Sequence, residues 1–213
     1  MEFEAIDLGL IDYRRAEGRQ EETFAAIKGR KGRSTLLLCQ HHPVITLGRS
    51  ASINNILVPE KELKKKGIDV FPARRGGDVT YHGPGQLVAY PIFNLDDFRK
   101  DIYFFLRTLE SAVIEFLAGF GVNAQRCPPL TGVWMDKEKI SSIGIGIRNW
   151  ITFHGVSINI KKDDLGNFQA IRPCGMDIQV TSLESCLGNN IEIDSVKEDL
   201  INAFRKVFAD PQT

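Results

Sequence analysis

The sequence lacks the features of a membrane-spanning, secreted or disulfide-stapled protein. No apolar run approaches the ~18 residues that a bilayer-crossing helix needs, and the opening MEFEAIDLGL has no basic leader followed by an apolar core. The four cysteines lie far apart and form no CxxC pair. These absences predict a soluble, cytoplasmic protein in which each cysteine is either an apolar filler or a reactive thiol.

The chain also has no excess of charge of either sign. Lys plus Arg and Asp plus Glu number 27 each, so no global field attracts nucleic acid or an anionic membrane surface. Internal repeats, low-complexity tracts and Pro/Ser-rich linkers are absent as well. We therefore expect one domain over residues 1–213, with no nucleic-acid partner and no membrane partner.

Hydrophobic spacing predicts a mixture of helices and strands. Helices are expected at 13–28, 59–66, 101–118 and 196–207, and buried strands at STLLLCQ and PVITLG. The apolar stripe of the third helix is typical of a packed core. Ser195 and Glu198 are predicted to open the last helix as a capping box.

Two segments with period-two alternation, KISSIGIGI and FHGVSINI, predict a hairpin that turns at Asn149 and Trp150. This turn would set Gly144 opposite Gly155 and Ser142 opposite Ser157. Two facing glycines leave a slot without side chains. Either an acyl chain enters such a slot, or the glycines mark a bulge or a tight sheet crossing.

The stretch RRGGDVTYHGPGQL, residues 74–87, is rich in glycine and costly to order, which favours a loop shaped around a ligand. It is not a phosphate-binding P-loop, because GxxxxGK[ST] is absent, and the GIG at Gly144 lacks the setting of a dinucleotide fingerprint. His41 and His42 have no HExxH or CxxC partner, so no metal site is expected.

Five blocks in order resemble the lipoyl(octanoyl) transferase family. They are RGGDVTYHGPGQL, GVW at Gly132, KISSIG at Lys139, FHGVSIN at Phe153 and RPCG at Arg172. The resemblance implies an α/β (α+β) fold related to the biotin and lipoate protein ligases. A mixed, largely antiparallel sheet, a smaller second sheet and flanking helices are expected.

The resemblance also implies the site residues. Cys174 would be the acyl-accepting nucleophile, and Lys139 would lower its pKa. The substrate site is expected to comprise Arg75, Gly76, Gly77, Asp78, Val79, Thr80, Tyr81, His82, Ser142, Ile143, Gly144, His154, Gly155, Val156 and Ser157.

The residue types agree with these roles. Pro173 and Gly175 leave the sulfur of Cys174 more accessible than a thiol in an apolar run, and an ammonium from Lys139 would stabilise the thiolate. His82 and His154 either orient the thiolate or an oxyanion, or serve as hydrogen-bonded structural histidines.

The activity implied is transfer of an octanoyl (or lipoyl) group from acyl carrier protein to a lysine of lipoyl domains, through a cysteine thioester. The acceptors would be 2-oxoacid dehydrogenase E2 subunits and the glycine cleavage H protein. No cofactor is expected beyond the donor's octanoyl-phosphopantetheine, and no ATP, because a thioester is already activated. Oxyanion donors would be the N–H groups of Gly76 and Gly77 or of the turn at Cys174.

Three other functions remain open from the residues alone. A lipoate or biotin ligase of the same superfamily would require ATP and a free acid. A cysteine hydrolase using Cys174 with His154 or His82 would release free acid. A non-catalytic acyl-chain binder would tolerate replacement of Cys174.

Overall fold

The computed structural model describes residues 1–209, apart from the side chain of Cys174. Within this range the strands are β1 Glu4–Ile11, β2 Thr35–His41, β3 Val44–Leu47, β4 Asp69–Pro72, β5 Val79–His82, β6 Gln86–Ile92, β7 Val133–Met135, β8 Glu138–Arg148 and β9 Ile151–Asn159. The α-helices are α1 Tyr13–Lys28, α2 Glu60–Lys65, α3 Ile102–Ala118, α4 Leu183–Leu187 and α5 Lys197–Ala209.

The strands form two sheets. The main sheet has the order β1-β2-β6-β9-β8-β7, and the second sheet has the order β4-β3-β5. The β1–β2 and β3–β4 pairs are parallel, and every other pairing in the two sheets of the described chain is antiparallel. The predicted mixed, largely antiparallel sheet with a smaller second sheet is confirmed.

Alternating side chains of the main sheet supply two separate cores. One face, represented by Leu36, Leu87 and Val156, packs against the aromatic side of α3 and α5. The opposite face, including Leu37 and Val88, packs against α1. Because successive strand residues point to opposite faces, one sheet can bury both sides in this way.

The predicted hairpin has the predicted register. Gly144 pairs with Gly155, and Ser142 pairs with Ser157. The turn residues Asn149 and Trp150 both have positive φ, at 54° and 58°, as a two-residue type I′ turn requires.

The predicted helices are present, and one predicted cap is wrong. The Asp101 side chain accepts a hydrogen bond from the backbone N–H of Phe104 (2.9 Å) and opens α3. Ser195 lies instead in a 3₁₀ turn, Ile193–Val196, and its hydroxyl donates to the Glu192 carbonyl oxygen. This extra turn precedes α5 and takes the place of the expected capping box. Over residues 1–209, every helix is too short or too polar to cross a membrane.

Candidate active site

A cavity of about 490 Å³ lies between the two sheets. Val88 and Tyr90 of the main sheet line it on the face that packs against α1, and Thr80 and His82 of β5 line it from the second sheet. Its volume is typical of small-molecule sites, which usually measure about 300–1,000 Å³.

The glycine-rich loop after β4 covers the edge of β8 opposite β9, beyond the point where β7 stops pairing with it. β7 pairs with β8 only as far as Ser141, and the Gly76 N–H donates to the Ile145 carbonyl oxygen (2.7 Å) further along. A Cβ at Gly144 would lie 2.9 Å from the Gly76 carbonyl oxygen. The glycine on β8 therefore lets the loop approach the strand closely.

Buried side chains hold this loop in place. Arg75 donates to the carbonyl oxygen of Thr46 (2.7 Å) and to its hydroxyl (2.8 Å). The Asp78 carboxylate accepts hydrogen bonds from the Ser52 N–H (3.1 Å) and the Asn55 side-chain amide. Arg75 and Asp78 both line the cavity, so the groups that fix the loop also form part of its wall.

Lys139 and the segment that carries Cys174 meet at one end of the cavity. The Lys139 N–H donates to the Gln179 carbonyl oxygen (2.8 Å), and the Thr181 N–H donates to the Lys139 carbonyl oxygen (3.0 Å). Pro173 and Met176 line the same cavity as Lys139. The Cys174 backbone lies between them in a 3₁₀ turn, Pro173–Gly175, while its side chain is outside the described residues.

The side chain of Lys139 is guided by its neighbours. Its Nζ lies 4.9 Å from the centroid of the Trp134 ring, within the range of a cation–π contact. A Cβ at Gly132, where φ is +132°, would fall 2.7 Å from the Lys139 Cε. Gly132 of the GVW block thus leaves room for the aliphatic part of the Lys139 side chain.

With one exception, the residues expected at the substrate site line this cavity. Those that do are Arg75, Gly76, Gly77, Asp78, Val79, Thr80, His82, Ser142, Ile143, Gly144, His154, Gly155, Val156 and Ser157, together with Lys139. The exception is Tyr81, whose hydroxyl donates to Asp164 Oδ1 (2.8 Å) and accepts from the Asn167 amide (2.9 Å). Its side chain alternates away from the cavity and packs against Phe168.

Other cavity residues were not expected from the sequence. They are Tyr13, Val88, Tyr90, Ile102, Leu106, Pro129, Leu130, Thr131, Trp134, Ile145, Pro173, Met176 and Ile178. Ile102 and Leu106 belong to the apolar stripe of α3, for which the sequence predicts only a core role. For Tyr13 the sequence does contain a signal. An aromatic residue at the start of an otherwise charged helix indicates a buried position, and Tyr13 lines the cavity.

Three histidines around the cavity are buried and neutral at pH 7. Burial, reinforced by Arg75, lowers the pKa of His154 to about 3. Burial also lowers the pKa of His41 to about 4, and that of His82 falls well below its usual value for the same reason. His82 donates from Nδ1 to Gln86 Oε1 (3.1 Å), so it is hydrogen-bonded and borders the cavity at the same time.

These lowered pKa values predict loss of stability in acid. Because the unfolded chain takes up the protons first, the free energy of unfolding should fall below about pH 6.5, by about 1.4 kcal/mol per pH unit for each buried histidine. His41→Gln should reduce the slope of the free energy of unfolding against pH between about pH 6.5 and 5, and the reduction should approach that amount towards pH 5. The exposed His42→Gln is the matched control, and urea titrations at several pH values would measure both. Equal slopes in the two variants would contradict a lowered pKa for His41 in the folded protein.

Comparison with known proteins agrees with the fold. The family model of the lipoyl protein ligase A/B catalytic domain matches residues 12–205. An octanoyltransferase from Solibacter usitatus is 44% identical over 201 residues, covering 94% of this chain and 90% of that protein.

Solved structures are similar in fold at lower identity. A bi-partite lipoate protein ligase from Thermoplasma acidophilum, studied with its E2 lipoyl domain, has a TM-score of 0.75 at 19% identity and covers 98% of this chain and 84% of its own. The biotin protein ligase from Aquifex aeolicus, in complex with biotin and ATP, has a TM-score of 0.57 at 15% identity, with coverage of 97% and 72%. The expected relation to the biotin and lipoate ligase fold is confirmed.

The chain belongs to the lipoyl protein ligase A/B catalytic domain family. Within that family it groups with the octanoyltransferases: it is an acyltransferase that acts in octanoyl transfer for protein lipoylation.

Proposed function

We propose that this enzyme takes the octanoyl group from acyl carrier protein and passes it to a lysine of a lipoyl domain, through a thioester on Cys174. The supporting observation is the meeting of two chain segments at one end of the cavity. Backbone hydrogen bonds fix Lys139 against Gln179 and Thr181. Pro173, directly before Cys174, and Met176, two residues after it, line the cavity.

In the first half-reaction, the Cys174 thiolate attacks the carbonyl carbon of the octanoyl thioester. A new carbon–sulfur bond forms and the bond to the phosphopantetheine sulfur breaks. The Lys139 ammonium gives its proton to the departing thiolate, so the carrier leaves as a thiol and Lys139 becomes neutral. The Lys139 ammonium stabilises the attacking thiolate, since a nearby opposite charge favours the ionised form.

In the second half-reaction, the side-chain amine of the acceptor lysine attacks the octanoyl-Cys174 thioester. The carbon–nitrogen bond forms, the Cys174 thiolate leaves, and Lys139 in its neutral form accepts the proton that the amine loses. Both steps start from a thioester, so ATP is not consumed.

The walls of the cavity fit an apolar chain near the reacting carbonyl. Leu106, Leu130, Ile143 and Val156 line it, and the Gly144–Gly155 pair adds no side chains.

The Gly76 N–H already donates to the Ile145 carbonyl oxygen, so Gly76 is an unsuitable oxyanion donor. In the turn at Cys174, the Gly175 and Met176 N–H groups likewise donate to backbone carbonyl oxygens. We therefore assign the oxyanion role to the Gly77 N–H or the Cys174 N–H.

One structural relative supports lipoyl domains as the acceptors. The Thermoplasma acidophilum ligase was solved as part of a lipoylation system with its E2 lipoyl domain. We propose that this chain likewise acts on lipoyl domains, including those of E2 subunits and the glycine cleavage H protein, with acyl carrier protein as donor.

The test is a transfer assay with octanoyl-acyl carrier protein and an unmodified lipoyl domain, followed by the mass of the domain. We expect one octanoyl amide per domain without ATP. Transfer only from free octanoate with ATP and magnesium would favour a ligase instead. Release of free octanoate with no domain modified would favour a hydrolase, and full activity of Cys174→Ser would exclude the covalent route.

A further inference from the structure

The cavity has two chemically different ends. Both groups of residues that define these ends line the cavity. At one end the Lys139 Nζ lies 4.9 Å from the centroid of the Trp134 ring. At the other end Tyr13, Tyr90 and His154 are linked by ring contacts, Tyr13 and Tyr90 each contacting His41 and Tyr90 contacting His154. His154 pairs with Ile145, six residues beyond Lys139 along β8. At ~3.3 Å per strand residue, the two positions are about 20 Å apart.

The far end contains buried polar atoms without partners. Within the part of the chain that the structure describes, the Tyr13 hydroxyl and His154 Nε2 have no hydrogen-bond partner, although both residues line the cavity. Tyr13 is only 4% exposed and His154 only 3%. The Gln20 side chain, which accepts a hydrogen bond from the His154 N–H, also has an unpartnered Nε2.

Buried polar atoms of this kind normally bind water or a polar ligand group. An apolar chain packed against them would offer no hydrogen bond and would leave them unpaired, which is unfavourable. An extended chain advances ~3.6 Å for every three bonds, so the seven carbon–carbon bonds of octanoate span about 8 Å and the eleven of dodecanoate about 13 Å. The 20 Å joins two backbone positions, and the side chains at both ends shorten the free length. Dodecanoate therefore comes about 5 Å closer to the polar end than octanoate does.

We propose that Tyr13 and His154 form a polar end to the acyl cavity that sets the upper limit on acyl-chain length. Straight chains of eight carbons end before these groups, and chains of twelve carbons press against them. This inference rests on the proposed octanoyl transfer for its biological meaning, but it concerns binding and can be tested separately.

The test measures the dissociation constants of octanoyl-, dodecanoyl- and 12-hydroxydodecanoyl-pantetheine by calorimetry. The Cys174→Ser chain serves as the background, so that no thioester exchange with Cys174 occurs. We expect octanoyl to bind more tightly than dodecanoyl. Adding Tyr13→Phe should improve dodecanoyl relative to octanoyl by roughly 5- to 30-fold, or about 1–2 kcal/mol at 1.36 kcal/mol per tenfold change.

The hydroxylated probe provides a measurement that needs no further substitution. Its terminal hydroxyl can pair with the polar end, so it should bind more tightly than dodecanoyl, and Tyr13→Phe should reduce this advantage. Tyr103→Phe, at a position 81% exposed, is the matched control and should leave all ratios unchanged.

Either an unchanged dodecanoyl-to-octanoyl ratio in Tyr13→Phe or no advantage for the hydroxylated probe would overturn the inference. The transfer assay of the unsubstituted enzyme gives an independent result. If octanoyl transfer were absent but the expected binding pattern were observed, the proposed function would be rejected. The inference that the polar end limits acyl-chain length would still hold.

Discussion

Lys139→Ala should lower the rate of octanoyl transfer by about 10²–10⁴-fold, the usual contribution of a positioned acid–base group. Lys139 has two tasks in the proposed mechanism: its charge stabilises the thiolate, and in its neutral form it accepts a proton from the amine. Lys137→Ala is the matched control, because Lys137 is exposed two residues away and should not affect transfer.

The two tasks of Lys139 can be separated. Lys139→Arg keeps the positive charge, but arginine does not give up its proton in proteins. The pH midpoint for alkylation of Cys174 by iodoacetamide should therefore rise in Lys139→Ala and rise less in Lys139→Arg, while both variants transfer slowly. An alkylation midpoint that is the same in Lys139→Ala and in the unsubstituted enzyme would contradict the charge role.

Gly155→Ala should destabilise the fold by about 3 kcal/mol or more, which is at the upper end for overpacking a core. A Cβ at this position would lie 2.3 Å from the Ala89 carbonyl oxygen and 2.5 Å from the Pro91 Cδ. Both atoms belong to β6, a strand that is buried throughout its length and has little room to shift.

Gly18→Ala is the matched control, since a Cβ there meets nothing within 4 Å and Gly18 lies inside α1. That substitution should stabilise the protein by about 0.5–1 kcal/mol, because alanine loses less backbone entropy than glycine in a helix. Urea unfolding of both variants measures the difference. Equal stability of Gly155→Ala and the unsubstituted protein would mean that β9 and β6 are less closely packed than described.

The hairpin of β8 and β9 could be predicted because its signals are local. Alternation fixed the faces, and a two-residue turn at Asn149 and Trp150 fixed the register. The reason for the facing glycines needed the structure. The absence of a side chain at Gly144 lets the Arg75–Gly76 loop pack closely on β8, and its absence at Gly155 lets β6 pack closely on β9. Close backbone packing therefore accounts for both glycines, and both also border the cavity.

The far end of the cavity could not be predicted, because it is assembled from distant parts of the chain. Tyr13 comes from the first helix, and its ring centroid lies 5.5 Å from that of His41 and 5.9 Å from that of Phe71. Hydrophobic periodicity identifies a buried face of α1 or α3, but it does not distinguish a core position from a cavity wall. For this reason the periodicity of α3 predicts a core role for Ile102 and Leu106, which line the cavity.

Strand alternation explains why one residue of the glycine-rich block does not reach the cavity. Thr80 and His82 face it, and Tyr81 between them points to the other side of the second sheet. A resemblance that covers a block as a whole does not separate these two sides. Period two within β5 separates Tyr81 from Thr80 and His82, but it places Val79 on the side of Tyr81, although Val79 at the start of the strand also lines the cavity.

The central claim is that Cys174 carries the octanoyl group. The most direct measurement is the intact mass of the enzyme after mixing with octanoyl-acyl carrier protein, without ATP or acceptor. We predict one octanoyl adduct on the unsubstituted protein and on Cys127→Ser, which removes an exposed free cysteine, and none on Cys174→Ser. An adduct that persists on Cys174→Ser, or none on the unsubstituted enzyme while transfer proceeds, would contradict the account.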